Sequence, residues 1–234
     1  MVSHKKIARF ATASALALAV GISVVPSHAA PEPAKAVVVS TGNEAAFNTA
    51  YETFLRARNG DNSQIEPAIA AFEKLLREAP QQPLYAAYLG SALALKGRAA
   101  WMPWNKLKYP EQGLDRLDQA LAALKPEHDR SLARGVPVSL ETRLVAASTF
   151  ITLPDNIFHR RKAGKSLLAE IQRHPAFAAS PAQLRSGVYL LAADVAKLED
   201  RKQDEVAQLK QVLAIASSGS DAVRAQARLK ELGQ

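Results

Sequence analysis

The sequence predicts an all-α protein, an array of about four helical hairpins closed by a C-terminal capping helix. Three observations carry that prediction. Apolar residues make up 48% of the chain and aromatics only 6%, with Ala and Leu dominant. Such a mix favours helices packed closely through small side chains over stacked sheets. Apolar residues also recur at spacings of three and four over most of the chain, and Pro, Gly and Asn turn signals interrupt the pattern at short intervals.

Taken in order, residues 1–29 read as a Sec-type signal peptide. His4, Lys5, Lys6 and Arg9 form a basic start, and an uncharged stretch rich in Ala, Leu and Val runs from Phe10 to Val25. Pro26-Ser27-His28-Ala29 then offers small residues to signal peptidase, which predicts cleavage near Ala29 and a periplasmic or secreted product. The other reading is an uncleaved N-terminal anchor, for which the apolar stretch is short. Residues 30–42 read as a linker, because Pro31 and Pro33 resist helix. Residues 43–234 form the helical domain.

The first helix is expected over Glu44–Arg58, with Phe47, Ala50, Tyr51, Phe54 and Leu55 on one face and Asn59-Gly60-Asp61-Asn62 as its stop. Ser63 and Glu66 have the spacing of a capping box, and Pro67 falls in the next helix's first turn, where a missing N–H costs little. That second helix turns Ile65, Ala68, Ile69, Phe72, Leu75 and Leu76 inward and ends at Pro80. A third helix follows from Pro83 to Gly97 and aligns Leu84, Tyr85, Tyr88, Leu89 and Ala92. An interruption over Arg98–Tyr109 precedes a fourth, Pro110–Leu124. After a polar loop come helices over Pro137–Thr152, Phe158–Arg173, Pro181–Glu199, Lys202–Ser217 and Ser220–Leu232. In the Phe158–Arg173 helix, Ala163, Leu167, Leu168 and Ile171 are expected inside. A single amphipathic pair cannot bury its apolar face alone, so the pairs must lean on one another.

This layout resembles the tetratricopeptide-repeat superfamily. Ala68, Phe72, Leu75 and Pro80 fall at the offsets of a small residue, two packing residues and the closing proline of a repeat's second helix. Leu89-Gly90 looks like the Leu-Gly pair of a first helix, and Gly113, Leu117, Ala120 and Pro126 follow the second-helix pattern with the proline one residue late. The likeness covers residues 44–126 and extends loosely over 181–217. The Arg98–Tyr109 insertion and the missing landmarks of the third pair depart from it. The string from Tyr88 to Leu124 is also similar to bacterial exported helical-repeat proteins. The resemblance implies a right-handed TPR-like array that binds a protein or peptide, with no catalysis of its own and no cofactor.

The chain carries a formal charge of +8 and no cysteine. Loss of Lys5, Lys6 and Arg9 with the signal peptide removes three of those charges and leaves a moderate positive balance. In an exported protein that balance suits acidic partners or anionic envelope surfaces, and no nucleic-acid signature accompanies it. The absence of Cys excludes disulfides, thiolate metal sites, a Cys nucleophile and a lipoprotein attachment site. Catalytic signals are weak. Glu127-His128-Asp129 lacks metal-ligand spacing, Ser91 stands in no nucleophile elbow, and no Gly-rich phosphate loop occurs.

Two stretches are candidate contact sites. The first holds Trp101, Trp104, Lys106, Lys108 and Tyr109. Aromatics interleaved with cations suit an anionic or aromatic group or a partner's anchor pocket. The other reading has both tryptophans capping the core between the third and fourth helices. The second is the basic run Arg160, Arg161, Lys162 and Lys165. It suits a phosphate, a lipid headgroup or a cell-wall polymer, or is simply a solvated face. Arg143, inside an apolar helix, is expected either to pair with Asp115 or Asp118 or to lie exposed.

Overall fold

The computed structural model describes residues 41–234. The expected signal peptide at 1–29, with its cleavage site, and most of the expected linker at 30–42 lie outside the described residues. Ten helices follow one another: α1 (Thr41–Arg58), α2 (Ile65–Glu78), α3 (Pro83–Ala99), α4 (Pro103–Ala122), α5 (Val138–Thr152), α6 (Asp155–Phe158), α7 (Arg161–Arg173), α8 (Ala182–Leu198), α9 (Lys202–Ile215) and α10 (Ser220–Glu231). The only strands among the described residues are the antiparallel pair β1 (Leu132–Ala133) and β2 (Val136–Pro137), within the expected polar loop. The protein is all-α.

Packing follows chain order. α1 lies on α2, α3 on α4, α5 on α7 and α8 on α9, and α10 closes the end against α9. Successive pairs meet where α2 bears on α3, α3 on α5 and α7 on α8. The first core is aromatic. Phe72 stacks on Tyr88 with centroids 5.1 Å apart, and Phe47 and Phe54 pack around them. The expected inward residues Ala68, Phe72, Leu75, Leu84, Tyr88 and Leu89 are all buried there. Each large side chain contributes about 1.5–3 kcal/mol by leaving water. At the far end Leu190, Leu209, Val212, Ala225 and Leu229 form a smaller core. There Arg228 grips the buried Glu205 with two hydrogen bonds, Nε to Oε1 at 2.6 Å and a terminal nitrogen to Oε2 at 3.2 Å, which ties α10 to α9.

Several expectations are corrected. The Arg98–Tyr109 interruption shrinks to Ala100–Met102, because α3 runs on to Ala99 and α4 begins at Pro103. Pro103 is at the start of α4, where its missing N–H costs nothing, and Pro110 lies inside the helix. The proline ring is accommodated by Gly97 of α3, where a Cβ would lie 2.3 Å from Pro110 Cδ. Deeper in the pair a Cβ on Gly113 would lie 2.4 Å from the Gly90 carbonyl oxygen. The backbones of α3 and α4 therefore touch, and the two helices form one tight antiparallel unit. The Ser63–Glu66 capping box does not form. Asp61 takes the Ser63 N–H at 3.1 Å, and Glu66 pairs with Lys96. The expected helix Phe158–Arg173 is split, since His159 sits in the left-handed region (φ 53°) and ends α6 before α7 starts. In α7 the inward small residue is Gly164 and Ala163 is exposed, because Gly164 meets Ala147 and Ile151 where a Cβ would lie 2.8 Å from Ile151 Cγ1.

Candidate functional site

The turn between α3 and α4 projects the two most exposed large apolar side chains among the described residues, Trp101 and Trp104. Trp101 is 89% exposed and Trp104 64%, with Met102 and Leu107 beside them at 42% and 45%. Exposure on this scale removes the expected alternative that the tryptophans cap the core. Trp101 and Met102 form the three-residue connection with Ala100, while Trp104 and Leu107, three apart, share a face in the first turns of α4. Lys106 and Lys108 are exposed on the same turns, and Arg98 is exposed at the end of α3. Among the described residues none of these three cations forms an ion pair.

An open cleft of about 270 Å³ runs beside the turn, lined by Ile65, Lys96, Ala99, Trp101, Met102 and Tyr109. Tyr109 is half-buried under Lys96, whose Nζ lies 4.5 Å from the ring centroid and 2.6 Å from Glu66 Oε1. The hydrogen bond to Glu66 raises the Lys96 ammonium above its ordinary pKa and keeps it charged. The cleft thus mixes apolar side chains, Trp101 and Met102 among them, with the Lys96–Glu66 pair and the amides of Asn62 and Asn105.

The basic run is arranged differently. Arg160 pairs with Asp118 of α4 and lays its guanidinium 4.3 Å from the Phe150 ring centroid. Lys165 pairs with Glu199, and that hydrogen bond, with help from Arg201, holds the Glu199 carboxyl below its ordinary pKa. The Arg161 backbone N–H donates to Asp155 Oδ1 at 2.9 Å, and Lys162 is exposed. Two of its four cations, Arg160 and Lys165, are spent on fastening α7 to its neighbours. Arg143 pairs with Glu170 of α7 at 3.7 Å instead of Asp115 or Asp118, since α5 faces α7 at that point and Arg160 has taken Asp118.

A third cluster escaped the sequence reading. Arg134 and Gly135, both at positive φ, turn the β1–β2 hairpin. The Arg134 guanidinium lies 3.4 Å from the Tyr51 ring centroid and pairs with the buried Glu141 of α5. Tyr88 donates to the same carboxylate at 2.5 Å, and Gln183 of α8 donates to the Tyr51 hydroxyl at 3.2 Å. Burial pushes the Tyr88 hydroxyl well above its ordinary pKa, and burial also raises the Glu141 carboxyl against the pull of Arg134. The aromatic face shared by α1 and α3 is therefore occupied by the chain's own hairpin. No local motif marks this cluster, since Arg134 and Glu141, though seven residues apart, sit in strings without a motif, and the tyrosines that join them lie far along the chain.

His128 and Ser91 have structural roles. His128 Nδ1 accepts the Lys125 N–H at 2.9 Å and caps a short 3-10 turn, and Ser91 accepts a hydrogen bond from Thr149 at 3.0 Å. Among the described residues no three His, Asp or Glu side chains converge as a metal site. No helix there is long and apolar enough to cross a membrane. Comparison of the chain with protein-family models, curated proteins and solved structures gives no match.

Proposed function

We propose that this protein is a non-catalytic binding scaffold of the bacterial cell envelope that docks through the turn between α3 and α4. One observation carries the reading: Trp101, Met102, Trp104 and Leu107 are exposed together on a closely packed hairpin, beside cations that form no ion pair among the described residues. Scattered apolar side chains on a surface need no explanation, but a cluster of this kind marks a contact site. The close approach of α3 and α4 at Gly90, Gly97 and Gly113 holds the turn in place without help from a ligand. Preorganisation lowers the entropy cost of binding.

Export rests on the signal-peptide pattern of residues 1–29. The tetratricopeptide-like pattern of residues 44–126 supports a protein or peptide as partner, with Trp101 and Trp104 as anchors, Lys106 and Lys108 reading carboxylates, and Tyr109 in the adjoining cleft. The alternative partner is an anionic envelope component held by Arg160, Arg161, Lys162 and Lys165. That surface draws less support, because carboxylates of the same chain already engage Arg160 and Lys165. The reading assigns no reaction and no cofactor.

The test is retention of the purified protein by a whole envelope fraction, at low and high salt. Wild type is expected to be retained, and Trp101→Ala and Trp104→Ala to be released. Equal retention of all three removes the α3–α4 turn as the docking end. Aromatic anchoring persists as salt rises, whereas purely electrostatic binding fades over the Debye range.

A further inference from the structure

Resting on the reading that the α3–α4 turn is the docking end, and replacing the protein or peptide as its occupant, we infer that its partner is the headgroup layer of an anionic membrane, into which Trp101, Met102, Trp104 and Leu107 insert while Arg98, Lys106 and Lys108 meet lipid phosphates. Four features of the molecule support this occupant over a folded protein. The first is shape. Trp101 and Met102 stand on a three-residue turn between two helix ends, so the patch protrudes. A protruding aromatic needs a matching pocket on a protein but none in a bilayer.

The second is area. Four such side chains at these exposures offer on the order of 500 Å² of mostly apolar surface. A stable protein interface takes about 800 Å² from each partner. A bilayer has no such minimum, because binding there scales with the apolar area inserted.

The third is residue type. Trp is favoured at the membrane–water boundary, where its apolar body enters the acyl edge and its indole N–H stays among headgroups. The indole N–H of Trp101, at 89% exposure, is free to take such a position.

The fourth is charge. Arg98 flanks the patch from α3, and Lys106 and Lys108 flank it from α4. The first turn of α4 holds no acidic residue, and Glu111, the nearest on that helix, follows Lys108 by three residues without forming an ion pair among the described residues. Glu66, the acid beside the cleft, is already paired with Lys96. A ring of cations around an apolar tip matches an anionic bilayer, where surface charge draws the protein in and insertion holds it.

The chain has two tryptophans, both in this patch, so its intrinsic fluorescence reads the site directly. Purified wild type and variants sharing one N-terminus are mixed with vesicles of phosphatidylethanolamine and phosphatidylglycerol, and separately with neutral phosphatidylcholine vesicles. With the anionic vesicles, wild-type emission is expected to shift to the blue and to be quenched by lipids brominated along the acyl chain. The neutral vesicles are expected to produce little of either. Lys106→Glu with Lys108→Glu, and separately Trp101→Ala, should lower co-sedimentation with anionic vesicles about tenfold, while circular dichroism stays at the wild-type signal. Unchanged emission with anionic vesicles overturns the inference. If the envelope fraction still retains wild type but not Trp104→Ala in that case, a protein partner holds the site and only the lipid assignment fails. Insertion that is indifferent to the two Glu substitutions also overturns it, because the cations then have no part.

Discussion

The segments Arg98–Lys108 and His159–Lys165 look alike on paper, since each places several cations at the start of a helix behind a turn. The molecule uses them in opposite ways. In the second, Arg160 lies over Phe150 and reaches Asp118, and Lys165 reaches Glu199. In the first, Lys106 and Lys108 stand beside exposed tryptophans and meet no carboxylate of the described chain. Both rest on a glycine contact between helices, Gly97 against Pro110 in one and Gly164 against Ala147 and Ile151 in the other. The difference teaches that a basic run is a surface only when no distant acid reaches it. Asp118 and Glu199 lie 42 and 34 residues from the cations they engage.

The strongest way to break the comparison is to disturb the glycine contacts. Gly113→Ala should cost about 3 kcal/mol in urea unfolding, because the new methyl group meets the Gly90 carbonyl and backbone cannot yield cheaply. It should also move the tryptophan emission, since the turn depends on that contact. Gly164→Ala should cost less, about 1–2 kcal/mol, because its closest neighbour is the Ile151 side chain. If both variants unfold with wild-type midpoints, the tight helix approach is not what holds either segment.

A smaller effect separates the cations themselves. Arg160→Ala should destabilise by about 1–2 kcal/mol, through loss of the stack on Phe150 more than of the half-exposed pair with Asp118. Lys106→Ala and Lys108→Ala should each stay within about 0.5 kcal/mol of wild type by the same measurement. Comparable losses from Arg160 and Lys106 would erase the distinction drawn here. An equally small stability change is expected from Trp101→Ala and Trp104→Ala, also within about 0.5 kcal/mol, since both residues are largely exposed. These two should nevertheless show the largest loss of envelope retention. A Trp104→Ala variant that unfolds several degrees below wild type would instead mark Trp104 as part of the core.

Much of the architecture was legible in the residues. The face Ile65, Ala68, Ile69, Phe72 and Leu75 is set by helical periodicity alone, and all five side chains are buried. Periodicity is local, so it survives whatever the rest of the chain does. The turn is shorter than the Arg98–Tyr109 span the sequence suggests because Pro110, which reads as a helix start, lies inside α4 with its ring received by Gly97 of the neighbouring helix. The exposure of Trp101 and Trp104 was open for a related reason. Trp is usually buried, and only the shape of the α3–α4 hairpin shows that both side chains stand exposed among the described residues.

The sequence by itself determined that the described chain is helical, where most helices begin and end, and which stripes face inward, because these depend on residues within a turn or two of one another. Tertiary structure alone decided which charges are spent. Arg134 stacks on Tyr51 of α1, Arg160 finds Asp118 of α4, and Gln183 of α8 meets Tyr51 of α1. An ion pair or a stacked cation is a matter of a few ångströms between segments far apart in the chain, and local spacing carries no record of that distance.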